Sequence, residues 1–500
     1  MTETFKYGHD ILTVDIAIKL INGDIQGIMG NGTIEKIKKN YEAVQKIVKG
    51  KKLVYSINTG FGSLCRTKIT QEEAGKLQEN LLKSHSVGVG SPIGQEIAKM
   101  MLILKVHTLS KAYSGVSLDI IERICWHINN EYIPLVPKQG SVGASGDLAP
   151  LAHLFLPLIG LGYLSQDGKN YVSSSEVLKD HKLLPIKLQA KEGLALINGT
   201  QFITAHAVKI SNKLINCLNY ADTIATLTLE SYMASPQPFN DKLIQLRPHK
   251  GALIVAERMR KLLEGSQIVK SHADCERVQD PYSIRCIPQV HGASRDALEH
   301  LNEKLECELN SVTDNPIIIN ENETYSGGNF HGQPIALPLD YISLAASVLG
   351  NISDRRIYLL LEGKWGLPPY LIEKAGLNSG LMLTQYTSAA LTSENKSLCF
   401  PASADSIPTG GGQEDHVSMG SISARKALKI INNLEKILAI ELLCATQALD
   451  FRRPLKSSKK LEECHKYVRE RIPHVNEDTI LSEYINIALE IIRNNELNII

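Results

Sequence analysis

Aromatic residues are scarce in this sequence, at 5% of 500 residues, and an excess of either charge is nearly absent: 54 Lys+Arg stand against 53 Asp+Glu. A net charge of +1 gives no reason to expect a nucleic-acid or anionic-membrane partner. Paired cysteines are missing as well. The nine present (Cys65, Cys125, Cys217, Cys275, Cys286, Cys307, Cys399, Cys444 and Cys464) are odd in number, and none lies in a C-x-x-C pair. That argues against a secreted disulfide framework and against a zinc knuckle. Met1 to Lys6 has no signal-peptide apolar stretch. The most apolar window, Leu151 to Leu164, is short and is interrupted by His153, Pro157, Gly160 and Gly162, so no transmembrane span is expected. The expectation is a reduced, cytoplasmic chain. With 43% apolar residues it is too apolar for disorder, and its length suits two to four domains or one large helical body.

Gly and Pro are unevenly spread. From about residue 55 to 200 they recur in Asn58-Thr59-Gly60-Phe61-Gly62, in Gly88-Val89-Gly90-Ser91-Pro92 and between Gly140 and Pro150, which read as ordered loops between short helices. Gln201 to Ser235 and Ser421 to Arg453 contain neither. Apolar residues recur at helical spacing in the first (Leu214, Ile215, Leu218, Ala221, Ile224, Leu227, Leu229) and in the second (Ile430, Ile431, Leu434, Ile437, Leu438, Ile440, Leu443). Each stretch predicts one helix of about 50 Å, or two shorter ones, in a central bundle. Leu53 to Ile57, Leu183 to Leu188 and Ile317 to Tyr325 predict short strands or hairpins. The reading is a mainly α protein, with a loop-rich domain over 1–200 and a long-helix bundle with C-terminal helices over 201–500.

One segment carries unusual chemistry: Gly140-Ser141-Val142-Gly143-Ala144-Ser145-Gly146-Asp147-Leu148-Ala149-Pro150. Taken bare it is a tight turn. A nucleophilic serine elbow is excluded because Asp147 stands where the second glycine of G-x-S-x-G belongs. A phosphate loop fits poorly because no Lys follows the glycines. With no side chain at Gly146, its nitrogen can approach the Ala144 carbonyl and close a five-membered ring. Loss of water from that ring and of the Ser145 hydroxyl leaves an exposed methylidene, in 4-methylideneimidazol-5-one. The requirements are a small residue, a serine, a glycine and a strained turn.

Six motifs, in order, resemble the aromatic amino acid ammonia-lyases, and the resemblance extends from about Tyr55 to Arg425. Beside Gly140 to Leu154 they are Val54 to Gly62, Ser84 to Gly90, Lys191 to Thr200, Gln279 to Cys286, Ser326 to Gly332 and Gln413 to Met419. Read bare, each has a plain structural meaning: a packed tyrosine, a satisfied histidine, a turn before a long helix, a surface cation, a flexible loop and an acidic helix start. The resemblance implies an L-aspartase/fumarase-like helical fold and a methylideneimidazolone made from Ala144, Ser145 and Gly146. No nucleotide and no required metal are expected; fifteen His are present, but no H-E-x-x-H or paired Cys/His spacing appears.

The resemblance also implies roles. Tyr55 reaches the electrophile and handles a proton, with Tyr282 and Glu414 as the other candidate bases. A tyrosine starts near pKa 10, so lowering it to about 7 takes about 4 kcal/mol of electrostatic help. Asn198 is an active-site amide, Gln279 lines the site, Phe330 packs on substrate or electrophile, and Arg285 holds the substrate carboxylate with two parallel hydrogen bonds. Many members have Glu where Gln333 stands, so Gln333 is given no role. Histidine-specific members carry His at the position of His85 and Glu at that of Glu414, which makes L-histidine the implied substrate. Elimination of ammonia would give trans-urocanate, the first step of histidine degradation toward glutamate. Whether the electrophile captures the amine or engages the imidazole stays open. A homotetramer with active sites shared between subunits is implied. The alternatives are a tyrosine or phenylalanine ammonia-lyase or aminomutase, favoured by an apolar residue at 85 or an amide at 414, and a non-catalytic helical scaffold, which would have lost Ser145, Tyr55 or Arg285.

Overall fold

The computed structural model describes residues 3–50, 54, 57, 59–60, 69–70, 73–274 and 277–497. Nineteen α-helices dominate these residues. Strands are short and form four small sheets: Thr4–Lys6 with Gln26–Ile28 (parallel), Val89–Pro92 with Pro137–Gln139, Ile133–Pro134 with Tyr163–Ser165 and Val172–Ser173, and Ile317–Ile318 with Thr324–Tyr325. The chain divides into two compact units, residues 1–209, 302–339 and 401–425, and residues 210–301, 340–400 and 426–500.

The first unit holds all four sheets. Its helix Gln95–Leu109 is buried on almost every face, as its run of apolar residues requires. The second unit is built from helical segments. Gln201–Ser231 and Gly420–Asp450, whose first residues up to 209 and 425 belong to the first unit, are each one uninterrupted helix of 31 residues, about 46 Å long at 1.5 Å per residue, and not two shorter pieces. Leu214, Leu218, Ala221, Ile224 and Leu227 on the first, and Ile430, Ile431, Leu434, Ile437, Leu438, Ile440 and Leu443 on the second, are fully buried. Each buried Leu or Ile contributes about 1.5–3 kcal/mol, and the absence of Gly and Pro leaves the hydrogen-bond ladder unbroken.

This unit also buries charge. Arg356 donates to both Glu441 oxygens (2.6 and 2.9 Å), and Ser353 and Thr228 donate to the same carboxylate. Asp222 accepts from Arg258, Arg295 and His291. Buried charges are held only with partners of this kind.

The hairpin within 317–325 forms as expected. Leu183 to Leu188 does not form a strand. Leu183 closes the end of the preceding helix by donating to Leu178, Pro185 has no N–H, and Ile186 donates to Leu158, so no ladder is left to pair. Leu53 to Ile57 lies in part outside the described residues. One described helix, Gln333–Leu361, is long and apolar enough to cross a membrane, and 72% of its apolar window is buried within the protein. The seven described cysteines are free thiols.

Candidate active site

In the first unit the strand Pro137–Gln139 leads into the glycine-rich loop, and the helix Leu148–Phe155 leaves it. The backbone between them is tightly turned. Ser145 takes φ 49° and Gly146 φ 86°, the left-handed region that costs a side-chain-bearing residue of order 1–2 kcal/mol. Gly146 could not be anything larger: a Cβ there would overlap the Gly199 carbonyl. The turn is stitched to that neighbour, since Gly199 N–H donates to the Ser145 carbonyl (3.2 Å) and Asp147 N–H donates to the Gly199 carbonyl (2.8 Å).

Asp147 anchors the turn from below. It is fully buried, and its Oδ2 accepts the amides of Phe202 and Ile203, both at 3.0 Å, in the first turn of Gln201–Ser231. An anion suits that end of a helix dipole. Burial pushes its carboxyl up to about 7, against the pull of those amides. From above, Met419 N–H donates to the Val142 carbonyl (2.9 Å), the Ser421 hydroxyl donates to the Ser141 carbonyl (2.6 Å), and Ala144 packs with Ala402, Val417 and Met419.

The other candidates of this unit stand on segments tied to the same loop. His85 ends the helix Ala74–His85, and the strand that follows, Val89–Pro92, pairs with Pro137–Gln139. Its Nδ1 shares a hydrogen bond with the Ser84 hydroxyl (3.0 Å). Burial lowers the His85 pKa, while the Leu81 carbonyl and the nearby Glu414 carboxylate work to raise it. Glu414 is half-buried in the loop between the Gly410–Gly412 turn and the helix Gly420–Asp450, so it does not start a helix. Its Oε2 accepts the Thr409 hydroxyl at 2.9 Å. Asn198 links Glu192–Ile197 to the long helix. It is 2% exposed, and its Oδ1 is buried with no hydrogen-bond partner. A buried amide oxygen left unmet costs about 1–3 kcal/mol. Phe330 is half-buried, and its neighbour His331 stacks on His416 (5.7 Å, 15°) while donating through Nε2 to the His416 carbonyl.

Gln279, Tyr282 and Arg285 stand together in the second unit. Gln279 is exposed and Tyr282 is 69% exposed. The short helix Tyr282–Arg285 lays the Arg285 guanidinium 4.4 Å above the Tyr282 ring, with Nε buried and without a hydrogen-bond partner. The segment is pinned at both ends. Asp280 accepts from the Ser235 amide and from Arg277 (both 2.7 Å), Arg277 lies 3.7 Å over the Trp365 ring, and Arg356 donates to the Ser283 carbonyl (3.4 Å). Tyr55 lies outside the described residues. Among the described residues no three His, Cys, Asp or Glu side chains are grouped to hold a metal ion.

Sequence reasoning passed over Asp147, Arg356 and Lys105, whose ammonium donates to the Ala195 and Asn198 carbonyls. For Lys105 the available signal was a charge inside an otherwise apolar run, Met101-Leu102-Ile103-Leu104-Lys105-Val106. Gln333, given no role, donates its amide to the Ser403 carbonyl and fastens the loop around residue 403.

The aromatic amino acid lyase family matches residues 12–470. A histidine ammonia-lyase of Natranaerobius thermophilus is 46% identical over 477 residues, 95% of this chain and 94% of the relative. The crystal structure of histidine ammonia-lyase from Trypanosoma cruzi superposes with a TM-score of 0.91 at 40% identity, covering 99% of this chain and 94% of that one. A tyrosine aminomutase from Streptomyces globisporus gives a TM-score of 0.93 at 33% identity, over 99% and 98%. The fold is of the mainly α, aspartase/fumarase-like type. The chain belongs to the aromatic amino acid lyase family.

Proposed function

We propose that this chain is a histidine ammonia-lyase, converting L-histidine to trans-urocanate and ammonia. The observation that carries the reading is the placement of His85 within electrostatic reach of Glu414: His85 precedes the strand that pairs with Pro137–Gln139, which leads into the turn, and Glu414 precedes Val417 and Met419, which pack with Ala144. An imidazole and a carboxylate are complementary to the substrate's own imidazole, which both donates and accepts hydrogen bonds. A phenyl ring would leave both of them unmet, and a phenol has only one hydroxyl to offer the two. The relatives named histidine ammonia-lyase support the same substrate.

The turn fits the prosthetic group the family implies. Ala144 is small, Ser145 already holds a left-handed φ, and Gly146 occupies a space closed to any Cβ. Once formed from Ala144, Ser145 and Gly146, the methylideneimidazolone supplies an electrophile that makes loss of the amino group and of the β-proton easier. The surrounding residues then bind, orient and move protons. Arg285 holds the substrate carboxylate through its guanidinium, a charged hydrogen bond contributing about 1.5–3 kcal/mol. Asn198 offers its unpartnered amide oxygen to the amino acid's nitrogen. Gln279 and Phe330 line the substrate, and His85 and Glu414 hold the imidazole. Tyr55 takes the β-proton, with Tyr282 and Glu414 the other candidates, as the C–N bond breaks and the electron pair of the C–H bond becomes the new double bond. No nucleotide or metal takes part.

A homotetramer with shared sites completes the reading, the loop-rich part over 1–200 carrying the electrophile and the bundle over 201–500 carrying the association surface. Tyr341, Leu344 and Val348 are each about half exposed on one face of Gln333–Leu361, at the three-and-four spacing of a helix seam. Exposed Gln279 and Tyr282 suit a site that a neighbouring subunit closes. The setting is the cytoplasm.

The test is direct. Purified protein given L-histidine should raise the near-UV absorbance of urocanate, and Ser145→Ala should not; no product, or equal product from both, overturns the reading. The base is tested by deuterium exchange at the β-carbon in Tyr55→Phe and Glu414→Gln, where undiminished exchange in Tyr55→Phe removes Tyr55 from that role.

A further inference from the structure

A lysine inside an apolar helix needs a reason. Lys105 sits on Gln95–Leu109, in the first unit, and is 1% exposed. Burying an ammonium is costly unless hydrogen bonds replace its water. Its Nζ donates to two main-chain carbonyls, Ala195 (2.9 Å) and Asn198 (2.6 Å). The neighbouring carboxylate Asp314 is already engaged, accepting twice from Lys191 (2.9 and 2.8 Å) and once from the Asn315 amide (2.7 Å). Lys105 therefore spends its charge on backbone, at the end of the six-residue helix Glu192–Ile197, where the last carbonyls have no partner in the helix itself.

What that backbone touches gives the reason. Asn198 carries the unpartnered amide oxygen, and the next residue, Gly199, holds both the Ser145 carbonyl and the Asp147 amide. The path from the ammonium to the turn is one peptide unit, Asn198–Gly199, between two hydrogen bonds. Gly199 also stands against Gly146 so closely that it limits how the turn can relax.

We propose that Lys105 is a positioning residue for the electrophile: its ammonium fixes Asn198–Gly199 against Ser145–Asp147, and so sets both the closure of the Ala144–Ser145–Gly146 ring and the aim of the Asn198 amide. The inference rests on the ammonia-lyase reading. The step it assists is balanced within the chain. A bond forms between Gly146 N and Ala144 C, and the Ala144 oxygen leaves as water with the amide protons of Ser145 and Gly146. A second water takes the Ser145 hydroxyl and its α-proton. A turn free to open by a fraction of an ångström lowers the population in which nitrogen and carbonyl carbon meet. A misplacement of about 1 Å at a reacting group costs about 100-fold in rate.

The experiment uses the full chain and two readouts, the intact mass and steady-state kinetics with L-histidine. Wild type should be lighter than its sequence mass by two waters. Lys105→Met, folded by circular dichroism, should retain a large fraction at full mass, and its matured fraction should show kcat lower by about 100-fold with KM little changed. Complete loss of both waters with wild-type kcat in Lys105→Met overturns the proposal, and so does a lowered Tm with mass and kcat unchanged, which would make the residue merely structural. Should Lys105→Met fail to fold, Lys105→Gln, which keeps two N–H donors without the charge, is judged on the same two readouts. A wild-type chain that keeps its full mass and makes no urocanate refutes the ammonia-lyase reading itself, before any Lys105 variant is compared.

Discussion

Gly146 lies against the Gly199 carbonyl with no room for a Cβ, while its own φ of 86° is one that side-chain-bearing residues rarely adopt. Gly146→Ala therefore has to open the turn against its neighbour, at a cost in conformation alone of about 1–2 kcal/mol. The expected result is a chain that stays at full mass and is at least about 100-fold less active. Intact-mass measurement beside a circular dichroism melt checks it. A variant that loses both waters shows that the turn adapts and that glycine is not required there.

Arg285→Lys tests the guanidinium as a carboxylate fork. Lysine keeps the charge but offers a point donor in place of two parallel N–H groups, and it loses the stacking over Tyr282. Removing one charged hydrogen bond of about 1.5–3 kcal/mol corresponds to a fall in kcat/KM of about 10- to 150-fold. Loss of the two waters should be untouched, because the residues that hold the turn, Asp147, Gly199 and Met419, are unchanged. Kinetics unchanged from wild type would remove Arg285 from substrate binding.

Arg356 and Glu441 form a buried pair whose guanidinium also holds the Ser283 carbonyl, between Tyr282 and Arg285. Arg356→Met leaves Glu441 buried without its main partner, a loss of about 3–5 kcal/mol, whereas the double replacement Arg356→Met with Glu441→Leu should recover most of that stability. Activity should not recover with it, since Ser283 still lacks its donor. Melting temperatures and kcat/KM for the two variants separate these effects. Parallel recovery of both would show that the pair serves stability alone.

These predictions depend on features of unequal legibility in the sequence. The long helices are readable because Gln201 to Ser231 and Ser421 to Asp450 carry no breaker and bury apolar residues on nearly every turn. The electrophile turn is readable because its chemistry needs three adjacent small residues, so the information is local. Leu183 to Leu188 misleads for the opposite reason: its apolar alternation suits a strand, but whether a strand forms depends on a partner ladder, and Leu158 and Leu178 have already taken its donors. Lys105, Asp147 and Arg356 are invisible in the same way. Each acts on backbone or side chains distant in sequence, and a charge in an apolar run announces only that it needs a partner. The acidic helix start that the bare motif at Glu414 suggests does not form there: Gly410 to Gly412 make a separate turn, and the helix begins at Gly420.

Two buried groups should give opposite pH dependences in the same window. His206 is buried and donates through Nδ1 to the Phe202 carbonyl (2.8 Å); burial lowers its pKa to about 4 from an ordinary 6.5. Between those values the unfolded chain binds a proton that the folded chain refuses, so His206 withdraws stability as pH falls from 6.5 to 4, by up to about 3 kcal/mol. Glu230 is buried too, with Oε1 unpartnered, and burial raises its pKa from 4.5 to about 7. There the folded chain keeps a proton that the unfolded chain has released, so stability is withdrawn as pH rises from 4.5 to 7, again by up to about 3 kcal/mol. Glutamine titrates at neither position. The Tm of His206→Gln relative to wild type should therefore climb as pH falls from 7 to 4, and that of Glu230→Gln should climb as pH rises from 4.5 to 7. Melts of the three proteins at half-unit pH intervals measure both slopes, and two flat or like-signed slopes would refute the assignment. Because the groups lie in different units, the double variant should show the sum of the two curves, as independent sites do to within about 0.5 kcal/mol.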